Sequence, residues 1–476
     1  MNPAAARADT ADVRPTSETA ATGPVRLAAL LAALSPGLDL AEGQPIGHAR
    51  RTCLIGMGMG ERLELPLADA RDLYFTLLLK DAGGPGAGTA LLARLGGDDR
   101  RARRDLRRAD WSCDLWALRW AFRHTPARAP WLSRARRVAA LVPAGRSLLA
   151  EWFAARGAAA ARLAESLGFG PRVAQALRAL DEHWDGSGEP RGLRGDAIPV
   201  AARIAGLAQA LDALACALGP ARALEVVRGE RARWFDPAAL EACAGLGDLL
   251  ERLRLLEEDA LQAEVAAAEP GGAALLAGPV CFDRVAEAYA AVFDDAAPAR
   301  AGRTACVAEL AAAIAAGLGW GAAATATLRR VAWLHDIGIL SVPNRILESR
   351  HPLTADDWEV VRLHPWYSRR ILERVPGFER IAAAAAAHHE RLDGRGYPQG
   401  LRGGQVPQVA RVLAVADIYE ALTAARPFRA ALAPRDALAL MRRDRGIGLA
   451  SDCVDALAAA VESGAVPATR SGRRAA

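Results

Sequence analysis

Two short stretches in the C-terminal third of the chain, Leu334-His335-Asp336-Ile337-Gly338 and His388-His389-Glu390, decide how this sequence is interpreted. The chain has eight histidines, and five of them lie between residues 335 and 389. With His364 and Asp417, the two stretches offer nitrogen and oxygen donors without a thiolate, a mixture that suits iron, manganese or zinc. The pattern therefore predicts a metal centre of the kind that supports hydrolysis.

These donors fall on predicted helices. His335 and Asp417 each continue a stripe of apolar residues at helical spacing, His335 after Leu328 and Val331. Taken alone, Asp417 would more often pair with an arginine and His364 would more often be a surface residue, but the paired donors favour a metal. Strand patterns are almost absent, whereas Ala, Leu, Arg and Glu at helical spacing fill most of the chain. The sequence predicts an all-α fold.

Composition is that of a globular protein with two or three domains. The 476 residues are 52% apolar and 24% charged, which predicts substantial hydrophobic cores. The formal charge of +5, from 60 basic and 55 acidic residues, gives no reason to expect a nucleic acid polymer as partner. Seven scattered cysteines without a Cys-x-x-Cys pair fit a reducing cytoplasm. The apolar run at 27–34 is too short to span a membrane, so no membrane partner is expected.

The chain contains two copies of one unit. Leu79-Lys80-Asp81-Ala82-Gly83 matches Leu334-His335-Asp336-Ile337-Gly338 at an offset of 255 residues. Residues 183–195 match residues 391–403 at an offset of 208 residues. The difference between the two offsets gives the first copy an insertion of 47 residues. We therefore predict two tandem helical bundle domains.

Glycine and proline mark the boundary between the copies. Pro270-Gly271-Gly272 and Gly278-Pro279 are typical of a linker. The predicted segments are, in order, a disordered tail (1–23), a degenerate first domain (24–258), a linker (259–279), a second domain (280–465) and a disordered tail (466–476).

The insertion in the first copy is rich in arginine and tryptophan. It contains Arg100, Arg101, Arg103, Arg104, Arg107 and Arg108, followed by Trp111, Trp116 and Trp120. Interleaved basic and aromatic residues can bind a nucleotide or a partner, but an amphipathic surface helix is the favoured interpretation.

The ordered motifs of the second copy resemble those of the HD-GYP family. The resemblance rests on Leu334-His335-Asp336-Ile337-Gly338, His364-Pro365, His388-His389-Glu390-Arg391, Asp393-Gly394-Arg395-Gly396-Tyr397-Pro398 and Ala416-Asp417-Ile418-Tyr419-Glu420. It is strong over about 280–460 and degenerate over about 25–255. The resemblance implies two HD-type bundles, the first degenerate, and an all-helical phosphohydrolase that opens cyclic di-GMP to pGpG or GMP.

The resemblance also implies roles for individual residues. His335 and Asp336 would be catalytic, with Asp336 bridging two divalent metal ions, iron or manganese. The implied metal ligands are His335, Asp336, His364, His388, His389 and Asp417. The implied substrate-binding residues are Gly396, Tyr397, Pro398, Arg426 and Arg429. For the two arginines structural pairing is an equal alternative, and Tyr397 would equally serve as a packing residue of a rigid turn.

Two positions depart from the family pattern. Ile339 stands where the family has a lysine, and Arg303 stands where the family often has a histidine, which the first copy retains as His48. An arginine cannot ligate a metal, but it can offer a cation to a substrate phosphate. We therefore expect at most two metals and include Arg303 among the substrate-binding residues.

The first copy has lost most of the donors. It has Lys80, Leu180, Asp181, Glu189 and Gln209 at the positions aligned with His335, His388, His389, Tyr397 and Asp417. No equivalent of His364 is found. We expect Lys80 to form an ion pair with Asp81 that replaces the metal, and the copy to serve as scaffold, dimer interface or regulator.

The leading interpretation is a cytoplasmic, metal-dependent phosphodiesterase whose substrate is the cyclic dinucleotide cyclic di-GMP. A phosphohydrolase of the HD superfamily acting on another nucleotide or phosphoester, and a non-catalytic signalling scaffold, are the alternatives. Metal content distinguishes the enzymes from the scaffold, because a two-metal mechanism needs two ions per chain. The two copies can pack as an intramolecular pseudo-dimer, or the protein can form a homodimer.

Overall fold

The computed structural model describes residues 25–84, 86–108, 114–271, 276–295, 300–426 and 429–466. Within these ranges the chain is almost entirely helical, which confirms the predicted all-α class. Two strands of two residues, β1 (Val25–Arg26) and β2 (Leu276–Ala277), pair antiparallel. The predicted tail at 1–23, and the C-terminal tail beyond residue 466, lie outside the described residues.

Helices α1 to α14 precede the second copy. Their bounds are α1 Leu27–Ala41, α2 His48–Arg62, α3 Leu67–Leu79, α4 Thr89–Leu95, α5 Asp99–Leu106, α6 Asp114–Arg123, α7 Trp131–Leu141, α8 Gly145–Ser166, α9 Pro171–Arg178, α10 Val200–Leu218, α11 Pro220–Arg228, α12 Pro237–Ala244, α13 Gly247–Leu255 and α14 Glu258–Ala267. Helix α14 and strand β2 occupy part of the range predicted as a linker, and the division into domains stays a prediction.

Helices α15 to α24 form the second copy. Their bounds are α15 Pro279–Asp295, α16 Arg303–Gly317, α17 Ala322–Leu334, α18 Asn344–Leu347, α19 Ala355–Arg362, α20 His364–Leu372, α21 Glu379–Ala386, α22 Gln408–Thr423, α23 Pro434–Arg442 and α24 Ser451–Glu462. Helices α16 and α17 have 15 and 13 residues, the same lengths as α2 and α3, which lie 255 residues earlier. The helical pattern of the first copy is therefore repeated in the second.

The core runs through both copies. A single cluster of buried apolar side chains extends from Leu27 to Ala458. Helix α1 belongs to both halves, because it packs against α2 and α3 on one side and against α20 and the short 3-10 helix Ile337–Ser341 on the other. Helix α10 is long and apolar enough to cross a membrane, but 72% of its apolar window is buried in this core. The first copy therefore supports the segment that follows His335 and Asp336.

Candidate metal centre

The end of α17 brings two neighbouring side chains into one site. Helix α17 stops at Leu334, His335 is its C-cap, and a 3-10 helix begins at Ile337. Gly338 lets α20 approach this turn, because a Cβ at that position would lie 2.0 Å from the His364 carbonyl oxygen. The change of helix type allows His335 and Asp336 to converge.

Asp336 lies between the histidines. Its Oδ1 is 3.1 Å from His364 Nε2 and 3.5 Å from His388 Nε2, while its Oδ2 is 3.8 Å from His335 Nε2. Two overlapping groups of three donors lie close enough to hold a metal ion, namely His335, Asp336 and His388, and His364, His388 and His389, with His388 common to both. Asp417 Oδ1 is 3.8 Å from His335 Nε2. The structure thus brings all six predicted ligands together.

The donor set fits a metal. His335, His364 and His388 each direct Nδ1 to a backbone carbonyl three residues earlier, which leaves Nε2 as the free acceptor. His364 Nε2 and His388 Nε2 are 3.2 Å apart. Two lone pairs at this distance repel each other unless a cation lies between them. His335 Nε2 is buried and has no hydrogen-bond partner among the described residues.

Charges in the site keep the carboxylates ionised. Burial would raise the pKa of Asp336, but the neighbouring His335, Arg300, His364 and His388 hold it well below its usual value. Burial lowers the pKa of His388, and burial together with the neighbouring histidines lowers that of His389 strongly. Burial would lower the pKa of His335 as well, but Asp336 and Asp417 raise it. His388 and His389 are therefore neutral beside an ionised carboxylate, and these are the forms that bind metals.

Two arginines border the donors. Arg300, which sequence reasoning missed, donates from Nη2 to Asp336 Oδ2 at 2.8 Å. Arg303 donates to Asp417 Oδ1 at 2.5 Å and to Glu420 Oε2 at 2.9 Å. Arg303 is therefore paired inside the protein, and its role toward a substrate phosphate stays a prediction. Glu420 lies three residues after Asp417, so the same helical stripe that revealed Asp417 could have revealed it.

Ile339 does not face the centre. It is buried in a small apolar cluster with Val342 and Ile346. The position where the family has a lysine therefore supplies no cation here, and the positive charge near the ligands comes from Arg300 and Arg303.

The loop that contains Gly396, Tyr397 and Pro398 is tied beside His389. Glu390 accepts backbone hydrogen bonds from Gln399, Gly400 and Leu401. A Cβ on Gly396 would lie 2.4 Å from the Arg391 backbone nitrogen, so only glycine fits. The Tyr397 ring stacks on the His389 ring with centroids 4.8 Å apart. The anchoring role of Glu390 was not predicted.

The two predicted phosphate-binding arginines have partners within the protein. Arg426 Nη2 donates to Glu420 Oε2 at 2.7 Å. Arg429 donates to the carbonyl oxygens of Ala421 and Leu422 near the end of α22. These contacts agree with the structural alternative, and binding of substrate by either arginine stays a prediction.

The first copy has an ion-pair network in place of the donors. Lys80 pairs with Asp81, which confirms the expected contact. Arg156 Nη2 is 3.1 Å from Asp81 Oδ1, and its Nη1 is 2.6 Å from Asp181 Oδ2. The alignment of the two copies found no partner for His364, and the structure corrects this. Gly83 packs on the carbonyl oxygen of Arg156, just as Gly338 packs on the carbonyl oxygen of His364. The equivalent of His364 therefore exists and is an arginine.

The insertion reaches from the first copy to the segment that follows His335 and Asp336. It lies between Asp81 and Arg156, which are 75 residues apart, whereas Asp336 and His364 are 28 apart. In helix α5, Asp99 Oδ1 accepts a hydrogen bond from the Asn344 backbone nitrogen at 3.0 Å. Arg100 donates to the carbonyl oxygens of Leu40 and Ser341. These contacts hold both ends of the segment between the 3-10 helix and α18.

Comparisons with known proteins identify the family of this chain. The HD domain family model matches residues 141–239 and 288–448. The 3'3'-cGAMP-specific phosphodiesterase 3 of Vibrio cholerae is 34% identical over 431 residues, which are 90% of this chain and 94% of that protein. The crystal structure of the V. cholerae cyclic GMP-AMP specific phosphodiesterase V-cGAP3 superposes with a TM-score of 0.64 at 31% identity, covering 92% of this chain and 98% of that one. The cyclic di-GMP phosphodiesterase response regulator RpfG of Xanthomonas campestris is 40% identical over 126 residues, 26% of this chain and 33% of that protein.

The chain belongs to the HD-domain family and, within it, to the HD-GYP phosphodiesterases. It is a metal-dependent phosphohydrolase.

Proposed function

We propose that this protein hydrolyses a phosphodiester bond of a cyclic dinucleotide in the cytoplasm. The observation that supports this most strongly is the position of Asp336, with its two oxygens facing separate histidines at 3.1 and 3.8 Å. His335, Asp336, His364, His388, His389 and Asp417 would hold two divalent ions, which we propose to be iron or manganese. Such ions withdraw charge from a phosphoryl group and lower the pKa of a water nucleophile.

The residues of the chain prepare the site for an anionic substrate. Arg300 and Arg303 keep positive charge beside the ligands, and Tyr397 and the glycine before it form the wall next to His389. The Tyr397 ring also lies under the Arg362 guanidinium, 5.7 Å from ring centroid to Cζ. An aromatic ring and a guanidinium at the edge of a metal site suit a nucleobase and a phosphate.

The sequence alone favoured cyclic di-GMP, and 3'3'-cGAMP is a second candidate with its own support. The V. cholerae relative, named for 3'3'-cGAMP, is matched by this chain over 94% of its length. The X. campestris relative, named for cyclic di-GMP, is matched over 33% of its length. The long match to the V. cholerae relative includes the first copy and its insertion. We therefore propose 3'3'-cGAMP as the preferred substrate and cyclic di-GMP as the weaker one.

The test is anaerobic turnover of both dinucleotides by the full chain loaded with iron or manganese, with products resolved by chromatography. We expect linear products from both, with a higher kcat/KM for 3'3'-cGAMP. His388→Ala should abolish turnover, whereas His351→Ala should not, because His351 is an exposed histidine outside the site. Turnover by neither dinucleotide from a protein that carries two metals would overturn the proposal.

A further inference from the structure

The positive charge of the protein is concentrated in one short segment. Residues 100–150 contain thirteen arginines and three aspartates, a formal charge of +10. The rest of the chain has 47 basic and 52 acidic residues, a formal charge of −5. Of these thirteen arginines, Arg103 and Arg107 have buried side chains that pair with Glu42 and Asp181, so the exposed basic charge lies further along the segment. Between residues 115 and 150 there is no acidic residue at all.

This segment also exposes large apolar side chains. Helices α6 and α7 pack against each other, and Arg134 stacks over Phe122 with its Cζ 4.2 Å from the ring centroid. The inner sides of the two helices are buried through Trp120, Val138 and Leu141. The outer sides expose Leu115 (76%), Leu118 (42%), Phe122 (37%), Trp131 (68%), Leu132 (53%) and Val142 (62%). We call α6, α7 and their connection the basic hairpin.

Arginines lie beside the exposed apolar side chains. On α6 the apolar residues alternate with exposed arginines. On α7, Trp131 and Leu132 precede the exposed Arg136 and Arg137. The exposed arginines of this region are Arg119, Arg123, Arg128, Arg136, Arg137 and Arg146. An outer face that is both apolar and cationic is typical of helices that lie in the interface of a membrane.

We propose that the basic hairpin docks this protein onto the surface of a membrane that contains anionic lipids. Exposed aliphatic side chains and a tryptophan gain nothing from a phosphodiester backbone, but they insert below lipid headgroups, which argues for lipid over nucleic acid. A second copy of the chain is a poor occupant, because an isologous contact would bring two faces of like charge together. The proposal departs from the expectation that the protein has no membrane partner.

The docked state is peripheral. Helices α6 and α7 have 10 and 11 residues, whereas a span needs about 20, and the bend of 72° between α7 and α8 prevents that apolar pair from forming one straight span. The metal ligands belong to α17, α20, α22 and the segment after α21, so the hairpin contains none of them. Docking would therefore place the phosphodiesterase at the membrane surface without using any residue of its catalytic site.

The test is sedimentation of the full chain with vesicles of phosphatidylcholine alone or of phosphatidylcholine mixed with phosphatidylglycerol. We expect binding to the anionic vesicles only, weakened by salt. Arg136→Gln with Arg137→Gln, and separately Trp131→Ser with Leu132→Ser, should each lower the partition coefficient about tenfold or more. The matched control, Arg442→Gln with Arg443→Gln at the C-terminal end of α23, removes the same charge from another exposed site and should bind like the unaltered protein.

Four outcomes would overturn the proposal. They are no vesicle binding, equal binding to neutral and anionic vesicles, an equal loss in the control variant, and dimerisation that disappears in the Trp131→Ser, Leu132→Ser variant. All variants should keep the turnover of the unaltered protein, so that a failure of docking is distinguished from a failure of the phosphodiesterase assignment.

Discussion

Asp336 is the residue at which the charges of the catalytic site meet. Its Oδ2 faces His335 at 3.8 Å and accepts a hydrogen bond from Arg300 at 2.8 Å, while its Oδ1 faces His364. The surrounding cations hold its pKa well below its usual value, and the pKa of His388 is also lowered. At neutral pH the Asp336 carboxyl is therefore already ionised, and metal binding does not need to displace a proton from it.

Arg303 stabilises the metal-free site. Its guanidinium is buried against Asp417 and Glu420, so we expect Arg303→Met to lower the free energy of unfolding of the metal-free protein by about 3 kcal/mol. The measurement is urea denaturation with and without a chelator. Arg329→Met removes an exposed pair with Glu309 and should cost under about 1 kcal/mol. Equal losses in the two variants would contradict the role given to Arg303.

Asp212 gives the first copy a pH-dependent contribution to stability. It binds His48 at 2.6 Å and Arg51 at 2.7 Å, and although burial opposes ionisation, Arg51 and His48 lower its pKa to about 2. Because the folded pKa lies below the unfolded one, the contribution is present at neutral pH and is lost between about pH 4 and 2. Asp212→Asn should therefore lose about 2 kcal/mol at pH 7 in urea denaturation. A loss that stayed constant down to pH 3 would contradict this.

At the scale of elements, helix α5 of the insertion positions the segment that follows the catalytic turn, which comprises residues 335–341. Asp99 binds the first amide of α18, and Arg100 joins Leu40 in α1 to Ser341 at the end of the 3-10 helix. Helix α5 is itself fixed to the first copy, because Arg103 lies 3.6 Å from Glu42. The catalytic turn thus depends on an element that is distant in sequence.

Removal of one contact of α5 should affect catalysis more than folding. Arg100→Ala frees the Ser341 carbonyl, and we expect kcat to fall several-fold with little change in KM, because small displacements of catalytic groups are costly. Arg101→Ala alters an exposed neighbour on the same helix and should leave kcat unchanged. Steady-state kinetics of both variants, with circular dichroism as the folding control, distinguish the two. An unaltered kcat in Arg100→Ala would show that the contact does not position the turn.

At the scale of the whole molecule, one copy keeps the chemistry and the other supports it. Among the described residues, the groups able to hold a metal occur only in the second copy. The first copy fills the corresponding space with Lys80, Asp81, Arg156 and Asp181. Since the core is continuous, removal of the first copy, α1 included, would expose α20 and the 3-10 helix after Asp336 rather than release an independent enzyme.

The sequence predicted the helical class because helical spacing is local. The six donors were singled out by the ordered motifs that resemble the HD-GYP family, and the Lys80–Asp81 contact followed from the alignment of the copies. Arg156 was missed because the offset changes within the insertion and an arginine does not resemble His364. Arg300 was missed because its contact with Asp336 joins residues 36 positions apart without a motif.

The most direct test of the account is the metal content and turnover of Asp336→Ala beside the unaltered protein, both purified anaerobically. If Asp336 joins two metal sites, the unaltered chain should carry two ions and hydrolyse 3'3'-cGAMP or cyclic di-GMP. Asp336→Ala should lose both ions and all turnover while its helical circular dichroism signal stays nearly the same. A variant that kept its metals and its rate would contradict the central claim.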